Sequence, residues 1–294
     1  PLPRVISAFE GHARAFVKVQ DGCDHFCTYC IVPHARGCPV SRPASDIVDE
    51  INTLVRAGYR EAVLTGINIG LYEGGLAALI GKILNDTAIA RVRVSSIEPW
   101  TFEPLLFDVM ESPRVCRHLH LPLQSGSAKV LKAMGRPYTP EYYGALIRRL
   151  KARFPDLGLG SDVMVGFPGE EESDFEESRR FISGLPLAYL HVFAYSRRAG
   201  TPASGFSGQV PAAVKRRRAL ELKTLSREKH AAFEASQQGG RHDILVTAAA
   251  GGVCHGISGN YLAVRVSGPG VRGELMPVRI DGVQAAPFRG RIHG

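Results

Sequence analysis

The chain lacks any run of about twenty apolar residues, the length a helix needs to cross a membrane, so no membrane partner is expected. Cysteine is scarce, with six residues in 294. Only three of them lie close together, and no second paired-cysteine knuckle accompanies them, which argues against a disulfide scaffold and a two-knuckle zinc fold. The glycine-rich turn Gly166-Phe-Pro-Gly-Glu170 has neither the lysine of a P-loop nor the spacing of a dinucleotide fingerprint. Both nucleotide-binding classes are therefore set aside. Acidic residues are in deficit, 28 against 36 Lys plus Arg for a net charge of +8, a balance that suits a polyanionic partner. Hydrophobic residues make up 45% of the chain, enough to bury a core and more than one domain.

Cys23, Cys27 and Cys30 stand in the run Gly22-Cys-Asp-His-Phe-Cys-Thr-Tyr-Cys-Ile-Val-Pro33, directly after an apolar-alternating segment. Such a loop offers three thiolates to one centre and withholds a fourth. A four-iron cluster normally takes a thiolate on each iron, so three leave one iron open for chemistry. Two blander readings compete: small hydrophobes on one helix face, and a structural zinc with His25 or His34 as fourth ligand. Asp24, His25 and Thr28 interrupt any apolar stripe, so a loop fits better than a helix. Cys38, Cys116 and Cys254 are scattered singly and are taken as incidental. Free thiols of this kind need a reducing compartment, and the expected location is cytoplasmic.

Strand-like and helix-like segments alternate through the first two thirds of the chain. Candidate strands cover residues 15–20, 61–65, 92–97, 118–123, 160–165 and 189–195; candidate helices cover 45–57, 76–84, 104–111, 127–133, 140–153 and 171–183. Ser45 and Thr139 read as helix caps, the latter followed by proline and an acid. Six strand–helix units imply an α/β fold with a parallel sheet, doubly wound or curved into a partial barrel, and periodicity does not choose. Either form places function at the carboxyl ends of the strands. A basic helix is expected around 214–230, with Leu222, Leu225 and Phe233 at helical spacing and a solvated face as the plainest explanation of its charge. Beyond residue 237 short β-like runs at 243–248, 260–266, 273–279 and 283–286 suggest a small β-barrel.

The CxxxCxxC spacing, with Tyr29 before the third cysteine, resembles that of radical S-adenosylmethionine (SAM) enzymes. Leu64-Thr-Gly-Ile-Asn68, Ser95-Ser-Ile-Glu-Pro99, His120-Leu-Pro-Leu-Gln-Ser-Gly-Ser127, Ser161-Asp-Val-Met-Val-Gly-Phe-Pro-Gly-Glu170, His191-Val-Phe-Ala-Tyr-Ser196 and Gly200-Thr-Pro202 extend the resemblance to the radical SAM methylthiotransferases. Thr65–Asn68 and Ser95–Pro99 look most like the branch acting on N6-threonylcarbamoyladenosine in tRNA. That resemblance implies a six-unit partial (β/α) barrel over residues 12–236 and an RNA-binding, TRAM-like barrel over 237–294. It makes residues 1–11 a linker from a missing N-terminal domain that carries a second 4Fe-4S cluster.

For the site, the resemblance implies that Cys23, Cys27 and Cys30 hold a 4Fe-4S cluster whose open iron binds SAM. Thr65, Gly66 and Asn68 are expected near the methionyl amine, Glu98, Gln124 and Ser125 near polar groups of SAM, and Arg136 at the carboxylate. Val165, Gly166 and the backbone around Tyr29 are expected at the adenine. The implied reaction adds a methylthio group to the C2 carbon of an adenosine beside the anticodon, with SAM as methyl donor and radical source. Implied partners are a tRNA anticodon stem-loop, an electron donor such as flavodoxin or ferredoxin, and an unidentified sulfur donor; the chain is expected to be a monomer. Alternatives are a branch acting on isopentenyladenosine or on a ribosomal protein, and a non-catalytic, metal-stabilised RNA-binding protein.

Overall fold

A computed structural model describes residues 11–282 and 288–292. All but the last residue of the expected linker 1–11, and the candidate strand 283–286, lie outside the described residues. The chain opens with β1 (Ala15–Lys18), β2 (Gln20–Asp21), α1 (Val32–Arg36), β3 (Val40–Ser41), α2 (Ala44–Arg56), β4 (Glu61–Thr65), α3 (Leu76–Asp86) and β5 (Arg91–Val94). It continues with α4 (Leu106–Val109), β6 (His118–His120), α5 (Ala128–Ala133), α6 (Pro140–Arg153), β7 (Gly158–Val165), α7 (Glu172–Ser183) and β8 (Tyr189–Ala194).

All six candidate strands form, and they pair in parallel as two three-stranded sheets, β1-β4-β5 and β6-β7-β8. The handover between sheets is local. Ser95 still donates to the Leu64 carbonyl on the β4 side, whereas Ser96 bridges to His120. That switch of partner ends β5 at Val94, short of the expected residue 97. Similarly β6 stops at His120, because Pro122 has no N–H for the ladder and Gln124 takes a left-handed backbone with φ 68°.

Two helix starts were predicted from caps, and one needs correction. Thr139 does cap α6, accepting from the Tyr142 N–H at 3.3 Å with Pro140 at the first helical position. Ser45 does not cap α2. The helix begins at Ala44 with Pro43 as its cap residue, since proline's fixed φ already suits the entry, and the Ser45 hydroxyl turns to Asp46 instead.

One face of both sheets is apolar. Ala15, Val17, Leu64, Val92, Leu159 and Val163 lie fully buried against Ile47, Ile51 and Leu54 of α2, Ile80 and Ile83 of α3, and Tyr143 and Ile147 of α6. Full burial of each large aliphatic side chain is worth about 1.5–3 kcal/mol. Strand alternation sends the intervening residues to the opposite, inner face, and many of these are polar: Glu61, Arg91, Arg93, His118, His120, Asp162, Tyr189 and His191.

The basic run forms α8 (Ala212–Ser236), which buries Leu222 and Phe233 and docks on β8 through Ser226, whose hydroxyl donates to the Leu190 carbonyl at 3.1 Å. Much of its charge is already engaged. Arg218 pairs with Glu170 at 2.8 Å, Arg217 with Glu172 at 2.7 Å, and Lys215 and Lys229 donate to the carbonyls of Tyr195 and Leu185.

The C-terminal strands are β9 (Arg241–Ala250), β10 (Val253–Ser258), β11 (Ala263–Ser267), β12 (Leu275–Gly282) and β13 (Phe288–Ile292). They close a barrel in the order β10-β11-β13-β12-β9. β10 had no counterpart among the sequence expectations. It follows Gly251 and Gly252, carries Gly256 inside it, and is bulged against β9 at His255/Gly256, so its apolar alternation is broken. The barrel docks at the amino ends of the parallel strands. Arg93 donates to the carbonyls of Ser258 and Gly259, Arg91 to those of Asp243 and Ile257, and both guanidiniums meet the fully buried Glu61 at 2.7–2.8 Å.

Candidate active site at the carboxyl ends of the strands

The cysteine loop leaves β1 through Gln20, whose buried amide ties three points of the rim together. Its Nε2 donates to the Gly22 carbonyl at 2.7 Å and its Oε1 accepts from the Asn68 N–H at 2.9 Å, so one side chain links the loops after β1 and β4. Sequence reasoning missed Gln20, for which no motif exists. Gly22 then turns with φ 77°, and a Cβ there would lie 2.2 Å from the Cys38 carbonyl oxygen, a closeness only glycine allows. Gly66 is held the same way, with a Cβ position 2.8 Å from the Gln20 carbonyl.

The far end of the loop is clamped to the segment after α5. Thr28 donates from its backbone to Met134 at 3.0 Å and from its hydroxyl to Ala133 at 2.9 Å, and His25 donates from Nε2 to the Gly135 carbonyl at 2.7 Å. The Gly135 carbonyl fixes the His25 tautomer, with the proton on Nε2. The His25 ring also packs against Trp100, tilted by 49°. A single zinc is disfavoured on distance. Among the described residues, one His/Cys/Asp/Glu trio has ligand atoms all within 4.8 Å of one another, and it is not the cysteines. Thiolates 2.3 Å from one ion would stand roughly 3.8 Å apart, so a wider, several-atom centre fits the loop better.

Burial pushes the Cys23 and Cys27 thiols above their ordinary value; the His25 backbone and the nearby Asn68 carboxamide oppose the rise at Cys23, and Arg136 opposes it at Cys27. Both therefore stay protonated at neutral pH until a cation replaces the proton.

Arg136 and Glu98 are brought together rather than left facing solvent. The Arg136 guanidinium is buried, is paired bidentately with Glu98, lies 3.4 Å from Cys27 Sγ and stacks over Trp100 at 4.4 Å and Tyr138 at 5.2 Å. Burial alone would favour its neutral form, but Glu98 outweighs that and holds it firmly charged. Trp100 and Tyr138, missed in the sequence, build the aromatic wall that makes this possible.

Beside the unpartnered Ser95 and Tyr195 hydroxyls, two amide side chains at the rim carry buried atoms with no partner. Asn68 is buried with neither carboxamide atom hydrogen-bonded, and Gln124 is buried with its Oε1 unpaired. An orphaned buried polar atom costs about 1–3 kcal/mol, and at Gln124 that cost comes on top of its left-handed backbone. Such strain is the mark of groups kept for a ligand.

The remaining expected residues divide. Thr65 ends β4 and its carbonyl accepts from the Val19 N–H; the Ser125 hydroxyl accepts from the Ser127 N–H in its own turn. Val165 sends its side chain into the hydrophobic core, and only its carbonyl, which accepts from the Tyr195 N–H, reaches the rim. Gly166 donates to Glu170 and is covered by the Lys215 side chain where a Cβ would stand. A cavity of about 450 Å³ opens beside Cys30, lined by Tyr29, Ile31, Met164, Phe193, Tyr195 and Arg198 among others. Its walls are the inner-face residues Met164 and Phe193, which alternation along β7 and β8 could have identified.

Three thiols, two unpartnered amides and an adjoining cavity thus meet the needs of a cluster with one open iron and a small polar cofactor chelated to it. The sequence matches the Radical SAM superfamily over residues 17–182. It is 41% identical over 244 residues to the tRNA-2-methylthio-N(6)-dimethylallyladenosine synthase of Carboxydothermus hydrogenoformans, covering 81% of this chain and 56% of that protein. It is 38% identical over 293 residues to the threonylcarbamoyladenosine tRNA methylthiotransferase MtaB of Chlamydia pneumoniae, covering 98% of this chain and 70% of that one. The chain thus spans between about half and two thirds of these relatives' length. In fold it is similar to the radical SAM methyltransferase TsrM of Kitasatospora setae, with a TM-score of 0.57 at 19% identity over 65% of this chain and 36% of that one. The loop geometry and the two curated relatives agree, and the chain belongs to the radical SAM superfamily, within its methylthiotransferase family.

Proposed function

We propose that this chain is the catalytic and RNA-binding part of a tRNA methylthiotransferase that modifies C2 of N6-threonylcarbamoyladenosine beside the anticodon. The observation that carries it is the cysteine loop at the carboxyl ends of the strands, tied through Gln20 to the loop of the buried, unpartnered Asn68, with a cavity that begins at Cys30. Cys23, Cys27 and Cys30 would hold the cluster, and Asn68, Gln124 and the Glu98–Arg136 pair would orient SAM. When bound, cluster and SAM supply one-electron reduction and hydrogen abstraction by a carbon radical. The chain's own residues do the rest: Gln20 fixes the two loops in register, Trp100 and Tyr138 keep Arg136 in place, and Met164, Phe193 and Tyr195 supply an apolar lining to the cavity.

We read the two parallel sheets as a six-unit partial barrel over residues 12–236, and the closed C-terminal barrel as a TRAM-like RNA-binding domain over 237–294. The barrel docks at the amino ends of the strands and the cysteines lie at the carboxyl ends, so an RNA held by both runs along the open inner side. Net charge +8 supports an RNA partner. Cluster chemistry supports a reducing, cytoplasmic setting and a small redox protein as electron donor; the proposed active species is a monomer. The threonylcarbamoyl branch is preferred over the dimethylallyl branch on residues 64–68 and 95–99. Nucleoside analysis of tRNA from a strain lacking the gene decides between them. Loss of 2-methylthio-N6-threonylcarbamoyladenosine is expected, and its persistence with loss of the isopentenyl product would reassign the branch.

A further inference from the structure

Away from the cysteine rim, the inner face of β6-β7-β8 carries His120, Asp162 and His191 on three adjacent strands, with ligand atoms all within 4.8 Å of one another. Strand register puts them there: Asp162 pairs with His191, and His120 pairs with Gly160, two residues before Asp162 on the same face. Asp162 Oδ1 is 2.8 Å from His120 Nε2 and 3.3 Å from His191 Nδ1. Ligand atoms held 2.0–2.2 Å from one tetrahedral ion stand roughly 3.4 Å apart, so the trio needs only a slight opening at His120 to receive one.

The surroundings are built for an oriented imidazole. His120 is buried, and its other nitrogen, Nδ1, meets the Tyr189 hydroxyl at 3.3 Å; that hydroxyl in turn meets His118 Nε2 at 2.8 Å. Metal-bound histidines characteristically have such a partner on the second nitrogen, which fixes the tautomer and frees the first for the ion. The Tyr189 ring lies over Gly160, where any Cβ would come within 2.2 Å of it, so only glycine there leaves room for this partner. The front is open, with His191 64% exposed.

We propose that His120, Asp162 and His191 form a second metal site, separate from the cysteine loop, that takes a divalent ion of the zinc class. Two imidazoles and one carboxylate leave coordination positions free, the donor set of catalytic zinc and of non-haem divalent iron. Met164 and Phe193 follow Asp162 and His191 by two residues on the same strand faces and line the cavity beside Cys30. The ion therefore lies one side-chain row, about 6–7 Å, below the cavity floor, with its free positions available to water or an oxygen-donor ligand.

The test uses the full chain with its cysteines occupied by a reconstituted cluster, titrated anaerobically with Zn2+ by calorimetry and with Co2+ by absorption. One Zn2+ per chain beyond the cluster is expected, and Co2+ should give weak ligand-field bands without sulfur-to-metal charge transfer. His191→Ala, chosen because the residue is exposed and its removal spares the core, should weaken binding by about tenfold or more, and Tyr189→Phe by about tenfold, the scale seen for loss of an outer partner. Cys23→Ala should leave the non-sulfur Co2+ signal intact. No Zn2+ beyond the cluster, unchanged affinity in His191→Ala, or a Co2+ spectrum dominated by sulfur ligands would each overturn the assignment and leave the trio a hydrogen-bonded network only.

Discussion

Gln124 is a buried residue with φ 68° and an unpaired Oε1, and replacing it separates strain from function. A left-handed backbone costs a non-glycine residue about 1–2 kcal/mol, and the orphaned oxygen about 1–3 kcal/mol. Gln124→Ala removes the oxygen but keeps the strain and loses packing, so stability should change by less than about 1 kcal/mol. Gln124→Gly also removes the strain, offset in part by the 0.5–1 kcal/mol of extra freedom glycine has when unfolded. Glycine should therefore be about 1 kcal/mol more stable than alanine at this position, a shift of roughly 2 °C in Tm for a chain of this size. Both variants should lose SAM binding and 5′-deoxyadenosine formation to a similar degree, since both lack the amide. Thermal unfolding with a SAM-cleavage assay on the same preparations reads both effects. A glycine variant no more stable than the alanine one, or one that cleaves SAM like the parent, would refute the view that Gln124 is held in strain for its ligand.

Asn68→Ala should leave the stability of the cofactor-free chain within about 1 kcal/mol, because no hydrogen bond is lost, yet lower SAM affinity by tenfold or more in equilibrium dialysis. Gly22→Ala should cost more than about 2 kcal/mol and halve or abolish iron incorporation, as its Cβ collides with the Cys38 carbonyl and its φ is left-handed; normal iron content would count against the loop geometry. Burial pushes the Glu61 carboxyl up, but Arg93 and Arg91 overcome this and hold it below its ordinary 4.5. It therefore contributes stability that is fully present above pH 4.5 and is lost as pH falls through the lowered value. Glu61→Gln should cost about 3 kcal/mol at neutral pH and flatten the stability profile below pH 4.5 in denaturant titrations, whereas an unchanged acid slope would contradict the pairing.

The strand–helix alternation was legible because each unit buries one apolar face at a regular period, and β4 and α6 fall on their expected bounds. Strand ends were not, because they depend on partners: β5 ends where Ser96 changes neighbour, and β6 ends at Pro122 and a left-handed Gln124. β10 escaped notice because glycine and a bulge erase its alternation. At the site, the cysteines and the rim motifs are local in sequence. Gln20, Trp100 and Tyr138 act only across strands and no motif marks them, while His120, Asp162 and His191 stand in three separate motifs whose convergence appears only when the strands pair.

The central claim is that the cysteine loop holds a redox-active cluster whose open position works on SAM. Iron and zinc content, measured together with 5′-deoxyadenosine formation in the anaerobically reconstituted chain and its Cys23→Ala variant, tests it most directly. The account predicts a brown, iron-containing protein that cleaves SAM on reduction, and a variant that loses both properties while its C-terminal barrel stays folded. A colourless zinc protein, or SAM cleavage retained by Cys23→Ala, would contradict it.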